Sequence, residues 1–315
     1  MSIESKIQKN IPLAPFTTFK IGGPAKFLIE LKSKEELADA FQWAKKEKQK
    51  VFILAGGSNI IVNDKGIDGL VLKMNNDQII VRGDRLDCGA GASLARAVTM
   101  AASNSLAGLE WASGIPRATI GGAVRGNAGA FGTSMSEIIE TVEVFNLKRK
   151  KFEIFSNKDC KLNYRESIFK ENDNFIIWAV VLKMSRVKAS EINKKIDECM
   201  GFRNKKQPKL PSAGSVFKNL SVANLREFNT NLADLAEDEG RVKRGKIGAG
   251  WLIELADLKG KTIGGAKVSL EHANFIINTG KATAGDVVTL ISYIKQRVRN
   301  RFKVQLQEEV QYLGY

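Results

Sequence analysis

Residues 113–132 read SGIPRATIGGAVRGNAGAFG, with glycine at positions 114, 121, 122, 126, 129 and 132. Glycine loses more backbone freedom on folding than any other residue, so a plain connector gains nothing from this density. Close approach of backbone to a large ligand explains it better. A second loop of the same character, Gly56-Gly57-Ser58-Asn59, follows the apolar run Val51 to Leu54. Its glycines allow successive backbone N–H groups to converge on an anion, and Ser58 and Asn59 add side-chain donors. Taken alone, this second loop reads equally well as a tight turn between strands.

Outward from these loops the chain carries strand and helix signals in mixed order. Ser33-Lys34-Glu35-Glu36 has the form of a capping box, with Leu37, Ala40, Phe41 and Ala44 at helical spacing behind it. Short strands are predicted at Ile60 to Val62, Leu70 to Met74, Gln78 to Val81 and Leu86 to Cys88, and an Ala-rich helix over Ser93 to Leu106. Thr141 to Leu147 and Lys151 to Phe155 alternate as a hairpin, and Phe175 to Met184 reads as a strand covered on both faces. A helix over Glu191 to Met200 precedes a Lys/Pro-rich stretch, Arg203 to Pro211, that reads as a domain junction. Helical patches follow at Leu225 to Ala236 and Trp251 to Leu255, then a longer helix over Ala284 to Arg301. The class is α+β, and 315 residues suggest two domains at about 150 each.

Several chemistries fall away. One histidine, His272, cannot supply a two-histidine zinc site, and Cys88, Cys160 and Cys199 are too scattered for a thiolate cluster, so no metal is expected. Gly89-Ala90-Gly91-Ala92-Ser93-Leu94 begins like a dinucleotide fingerprint, but Leu94 stands where the third glycine belongs. Gly260-Lys261-Thr262 resembles the end of a P-loop whose first glycine would fall at Leu255. The N-terminus has no apolar signal segment and no run is long enough to span a membrane, so a cytoplasmic protein is expected. Forty-nine basic against 34 acidic residues give a net charge of +15, which suits nucleic acid or an anionic small substrate.

The loops belong to a longer series of motifs. Thr17-Thr18-Phe19-Lys20-Ile21-Gly22-Gly23-Pro24-Ala25 opens it, and the two glycine loops follow. Then come Tyr164-Arg165-Glu166-Ser167, Gly214-Ser215-Val216-Phe217-Lys218-Asn219, Ala249-Gly250-Trp251, His272-Ala273-Asn274-Phe275 and Glu309-Val310. In this order, from about residue 16 to the C-terminus, they resemble the UDP-N-acetylenolpyruvoylglucosamine reductases, flavoenzymes of peptidoglycan precursor synthesis. The resemblance implies a FAD-binding PCMH domain, of the vanillyl-alcohol-oxidase (VAO) type, over 16–186. A smaller α+β substrate-binding domain would cover 203–300, with 301–315 returning toward the N-terminal region. The chain length and the lack of tyrosine between Ser215 and His272 favour the shorter, type II subtype.

The resemblance further implies bound FAD, NADPH as co-substrate, and reduction of the enolpyruvyl ether of a UDP-sugar to its lactyl ether. Gly56, Gly57, Ser58 and Asn59 match one flavin loop; Gly114, Ile115, Pro116, Thr119, Gly121, Gly122, Asn127 and Gly129 match the other. Ser215 matches the proton donor, Arg165 the arginine that stabilises the enolate, and Glu309 the third catalytic residue, with Glu308 beside it in competing register. Arg203, Lys206, Lys218 and Asn219 fall where the substrate is bound. Asn274 and Asn278 are expected to orient nearby loops, and His272 and Trp251 to be structural. The working form is expected to be a monomer without nucleic-acid or membrane partners. This chain departs from the family in having Arg117-Ala118 where glycine usually follows the proline, Leu220 where proline is frequent, and Gln311 where arginine often follows Glu-Val. Two other readings compete: a VAO-type oxidoreductase for a different small substrate, and a basic nucleic-acid-binding protein.

Overall fold

A computed structural model describes residues 2–315. The chain forms two compact units. One takes the sequence up to Ile11 with Ala25–Gly57 and Ile67–Lys205; the other takes Pro12–Pro24, Ser58–Gly66 and Lys206–Tyr315.

The first unit is built on two sheets. In the four-stranded one, Ile67–Met74 lies between Pro24–Leu31 and Val51–Leu54, parallel to both. That central place explains why Leu70, Val71 and Leu72 are all buried in succession. The five-stranded sheet is antiparallel, in the order Lys151–Ser156, Ile139–Asn146, Phe175–Lys183, Arg85–Gly89, Ile79–Arg82. Its central strand, Phe175–Lys183, buries Ile176, Trp178, Val180 and Leu182 on one face, while Ala179 and Val181 on the other are only partly covered. The run is thus fully covered on one face and half covered on the other.

The capping box at Ser33 forms as its residues predict: the Ser33 hydroxyl accepts the Glu36 N–H, and the Glu36 carboxylate accepts the Ser33 N–H. Leu37, Ala40 and Ala44 of the helix Lys34–Lys46 then face the core. Ser93 likewise caps Leu94–Ser103. The helix Ala189–Lys206 runs further than its apolar pattern suggests, through Arg203 and Lys206 of the expected junction. Pro208 excludes helical backbone from the residue before it, so the chain leaves the helix only there.

The second unit has an antiparallel sheet in the order Ser212–Ser215, Phe275–Asn278, Ala266–Val268, Thr262–Ile263. Against it the helix Ala284–Phe302 buries Val287, Leu290, Ile291, Ile294 and Val298. The amides of Ala284 and Gly285 at its start are taken by the Asp64 carboxylate at 2.8 and 2.9 Å. C-terminal Gln311–Leu313 pairs in parallel with Ile60–Val62. The helical patch predicted over 225–236 is two helices, Val222–Phe228 and Thr230–Asp238. Asn229 breaks it, because its side chain accepts the Leu232 N–H and caps the second helix. No helix among the described residues is long and apolar enough to cross a membrane.

Candidate active site

In the first unit the two glycine loops lie against each other. A Cβ on Gly56 would sit 1.6 Å from the Arg117 carbonyl oxygen, and the Arg117 Nε–H donates back to the Gly56 carbonyl at 3.4 Å. Gly57 and Gly114 both adopt left-handed backbone, with φ of +69° and +80°. The dinucleotide-like run 89–94 is the support for the longer loop. Leu94 N–H donates to the Ala118 carbonyl, Ile120 to Ala92 and Gly121 to Ala90, each at 2.9 Å. Gly121 has to be glycine there, since a Cβ would fall 2.8 Å from the Ala90 methyl. Thr119 caps the short helix Ile120–Arg125 by accepting the Gly122 N–H, and Ile115 and Pro116 lie in the loop before it.

Asn127 is buried, and its side chain is held by the protein at both ends: Nδ2 donates to the Asn163 carbonyl and Oδ1 accepts the Ser136 N–H. It therefore shapes the loop from within. Arg165 is carried on the tight turn between the paired residues Asn163 and Glu166, at φ +58°. Its guanidinium donates to the Gly129 carbonyl at 2.7 Å and the Asn127 carbonyl at 3.4 Å. An arginine in this sparsely populated backbone region costs about 1–3 kcal/mol, a strain that clusters at functional sites.

Arg203 lies against the same loop, within the first unit. Its Cδ would lie 3.1 Å from a Cβ on Gly114, its Nη2 donates to the Trp111 carbonyl at 3.0 Å, and it lies over the Phe131 ring. Burial pushes its pKa down. Sequence reading missed two neighbours. Glu110 and Ser113 are buried on the turn before Gly114; the Glu110 Oε2 accepts the Gly108 N–H, but Oε1, the Ser113 Oγ and the Arg203 Nε are buried without a hydrogen-bond partner. These three orphaned polar atoms belong to residues just before Gly114 or against it. They fit a large polar cofactor such as FAD, whose carbonyls, ring nitrogens and hydroxyls supply donors and acceptors. The only signal for Glu110 was a carboxylate inside the otherwise apolar run 109–112.

The second unit brings Ser215 and Glu309 onto neighbouring backbone. Ser215 ends the strand Ser212–Ser215 and pairs with Phe275. Gly214, at φ +76°, turns the chain just before it. Beyond it, the Val216 carbonyl accepts the Glu309 N–H at 2.7 Å, Phe217 bridges Glu308, and the Lys218 N–H donates to the Gln307 carbonyl. Lys218 and Asn219 continue from this pairing, and Lys206 ends its helix at the start of the unit.

The Glu308 carboxylate is fastened to Lys295 Nζ at 2.6 Å and to the Tyr312 hydroxyl. Burial, and then this carboxylate, push the Tyr312 pKa up. The Glu309 carbonyl instead accepts from Asn59 Nδ2 and Gln311 Nε2, so Asn59 of the first glycine loop and the departure at Gln311 both act on Glu309 backbone. Ser58, next to Asn59, belongs to the same unit. The His272 Nδ1 accepts the Asn274 N–H, and the Trp251 indole donates to Glu239. The three cysteines are buried free thiols, with Cys88 and Cys160 each pushed up to about 12, chiefly by burial.

Residues 25–148 match the model of a FAD binding domain, and residues 206–313 match that of the UDP-N-acetylenolpyruvoylglucosamine reductase C-terminal domain. The UDP-N-acetylenolpyruvoylglucosamine reductase of Caldanaerobacter subterraneus subsp. tengcongensis is 40% identical, over 99% of this chain and 95% of its own. That of Solibacter usitatus is 36% identical, over 98% and 97%. Among solved structures, the UDP-N-acetylenolpyruvylglucosamine reductase of Thermus caldophilus superposes with a TM-score of 0.77 at 31% identity, covering 98% of both chains.

Proposed function

The chain belongs to the UDP-N-acetylenolpyruvoylglucosamine reductase family, and from that premise we propose how its residues divide the reaction: Ser215 gives the proton, Arg165 stabilises the enolate, and Glu309 polarises the enol system. The enzyme is a flavin-dependent oxidoreductase that reduces the enolpyruvyl ether of UDP-N-acetylglucosamine enolpyruvate to UDP-N-acetylmuramate, for peptidoglycan precursor synthesis. FAD, when bound, supplies the hydride it has taken from NADPH.

In this reading the 56–59 and 114–129 loops hold FAD, with Arg203 and Ser113 among its polar contacts. Addition of hydride to the terminal methylene carbon leaves carbanionic character on the adjacent carbon, delocalised into the carboxylate. The planar donor fork of Arg165 is matched to that carboxylate and to the charge that develops on it. A serine hydroxyl is a weak acid at neutral pH, so Ser215 can protonate only a strongly basic carbon, which is what this step presents. Lys218 assists it electrostatically, and Lys206 and Asn219 serve the UDP-sugar. The first unit contributes Gly56, Gly57, the 114–129 loop and Arg165, and the second contributes Ser58, Asn59, Ser215 and Glu309. The reaction is placed in the cytoplasm, with a monomer as the working form and no nucleic acid as partner.

The observation that carries this assignment is the bond from Glu309 N–H to the Val216 carbonyl, which sets the proposed donor and the proposed glutamate on adjoining backbone. Anaerobic rapid mixing tests it. Ser215→Ala should accept hydride from NADPH at the wild-type rate, yet return it to the enol at least about a hundred-fold more slowly, as expected when a general acid is removed. Arg165→Lys and Glu309→Gln should show the same split. Equal loss of both half-reactions would contradict the roles.

A further inference from the structure

The backbone around Ser215 is held by one side chain that the roles above leave unused. Asn274 is 3% exposed, at the entry to the strand Phe275–Asn278. Its own carbonyl accepts the Val216 N–H at 2.8 Å. Its side chain takes both polar groups of the next residue: Oδ1 accepts the Phe217 N–H at 3.0 Å and Nδ2 donates to the Phe217 carbonyl at 2.9 Å. Phe217 is 1% exposed, so water cannot serve these groups in its place. The primary amide thus stands in for a strand residue, presenting a donor and an acceptor to one partner as a paired strand would.

The opposite side of the same three residues grips the C-terminal segment. Val216 accepts from Glu309, Phe217 bridges Glu308, and Lys218 donates to Gln307. Residues 216–218 are therefore clamped between Asn274 and 307–309, with Ser215 at one end of the clamp and Glu309 on its far side. The Asn274 N–H is in turn fixed by the His272 Nδ1 at 3.2 Å.

We propose that Asn274 is a positioning residue for the reduction: by holding both polar groups of Phe217 it sets the spacing between Ser215 and Glu309. It acts through those residues and not on the substrate, and the inference rests on the roles proposed for them above. An aspartate at this position keeps the shape and the acceptor but loses the donor, leaving the Phe217 carbonyl facing a carboxylate oxygen. Misplacement of a reacting group by about 1 Å can cost about a hundred-fold in rate.

The test is an anaerobic comparison of the two half-reactions in the FAD-loaded enzyme for Asn274→Asp, Asn274→Ala, Ser215→Ala and the Asn274→Asp/Ser215→Ala pair. Both Asn274 variants should be reduced by NADPH within about two-fold of wild type, which also reports an intact fold. Their reoxidation by UDP-N-acetylglucosamine enolpyruvate should be slowed about ten- to hundred-fold. In the Ser215→Ala background, Asn274→Asp should lose most of its effect, because residues acting as a unit are not additive. Wild-type reoxidation by Asn274→Asp, equal slowing of both half-reactions, or full additivity in the pair would each overturn the proposal. If Ser215→Ala is slow and Asn274→Asp is fast, only the clamp is wrong; if Ser215→Ala itself reoxidises normally, the role of Ser215 is wrong and the clamp has nothing to position.

Discussion

At position 117 the chain turns through φ +55° with an arginine, where the resembling family has a glycine. A left-handed conformation costs an L-residue with a Cβ roughly 1–2 kcal/mol, so this chain carries strain here that a glycine would not. The Arg117 Nε–H bond to Gly56 returns part of that cost, at a long 3.4 Å on the surface. Arg117→Gly should therefore keep the fold and raise stability by up to about 1 kcal/mol, seen as a rise in melting temperature of up to about 3 °C. A melting temperature lowered by several degrees would show that the arginine bond outweighs the strain. His272 gives a second test. Burial holds its imidazole below the ordinary 6.5, so between its native value and 6.5 the unfolded chain binds a proton that the native protein does not. The stability this residue contributes is fully present above pH 6.5 and is lost as pH falls through the native value. Wild type should lose melting temperature faster than His272→Gln between pH 7 and 5, and parallel curves would refute the assignment. Neither strain nor burial could be read from the sequence, because both depend on what packs around a residue rather than on its neighbours in the chain.

Among elements, the two glycine loops were legible and their mutual contact was not. Glycine density marks backbone that something must approach, but only the fold shows that Gly56 is glycine to admit the Arg117 carbonyl of the other loop. Gly56→Ala places a methyl against backbone that cannot swing aside, so the loops must part. Overpacking of this kind costs about 1–3 kcal/mol, which predicts FAD held about ten-fold or more less tightly, measured by flavin fluorescence on titration of the apoprotein. Unchanged FAD affinity would mean that the contact of the loops does not shape the cradle. The C-terminal segment teaches the same lesson. Glu308-Glu309 is ambiguous in sequence, and only the fold shows that Lys295 and Tyr312 fasten Glu308, from positions 13 residues before it and four after it. The helix Ala189–Lys206 outruns its apolar pattern, since the polar residues around Arg203 and Lys206 hide a helix that only Pro208 stops.

For the whole molecule, the α+β class and the FAD-binding domain followed by a smaller C-terminal domain were readable, because ordered motifs along the chain survive substitution between them. What the linear reading could not give is that Pro12–Pro24 and Ser58–Gly66 fold with the second unit, since nothing in their composition marks them as belonging with Lys206–Tyr315. The enzyme takes hydride from NADPH onto FAD and delivers it to an enolpyruvyl ether. The most direct measurement is the visible spectrum of the purified holoprotein without oxygen, recorded after NADPH and again after UDP-N-acetylglucosamine enolpyruvate. The flavin band should bleach with the first and return with the second, leaving UDP-N-acetylmuramate as product. A band that bleaches and stays bleached in the presence of the enol would contradict the account.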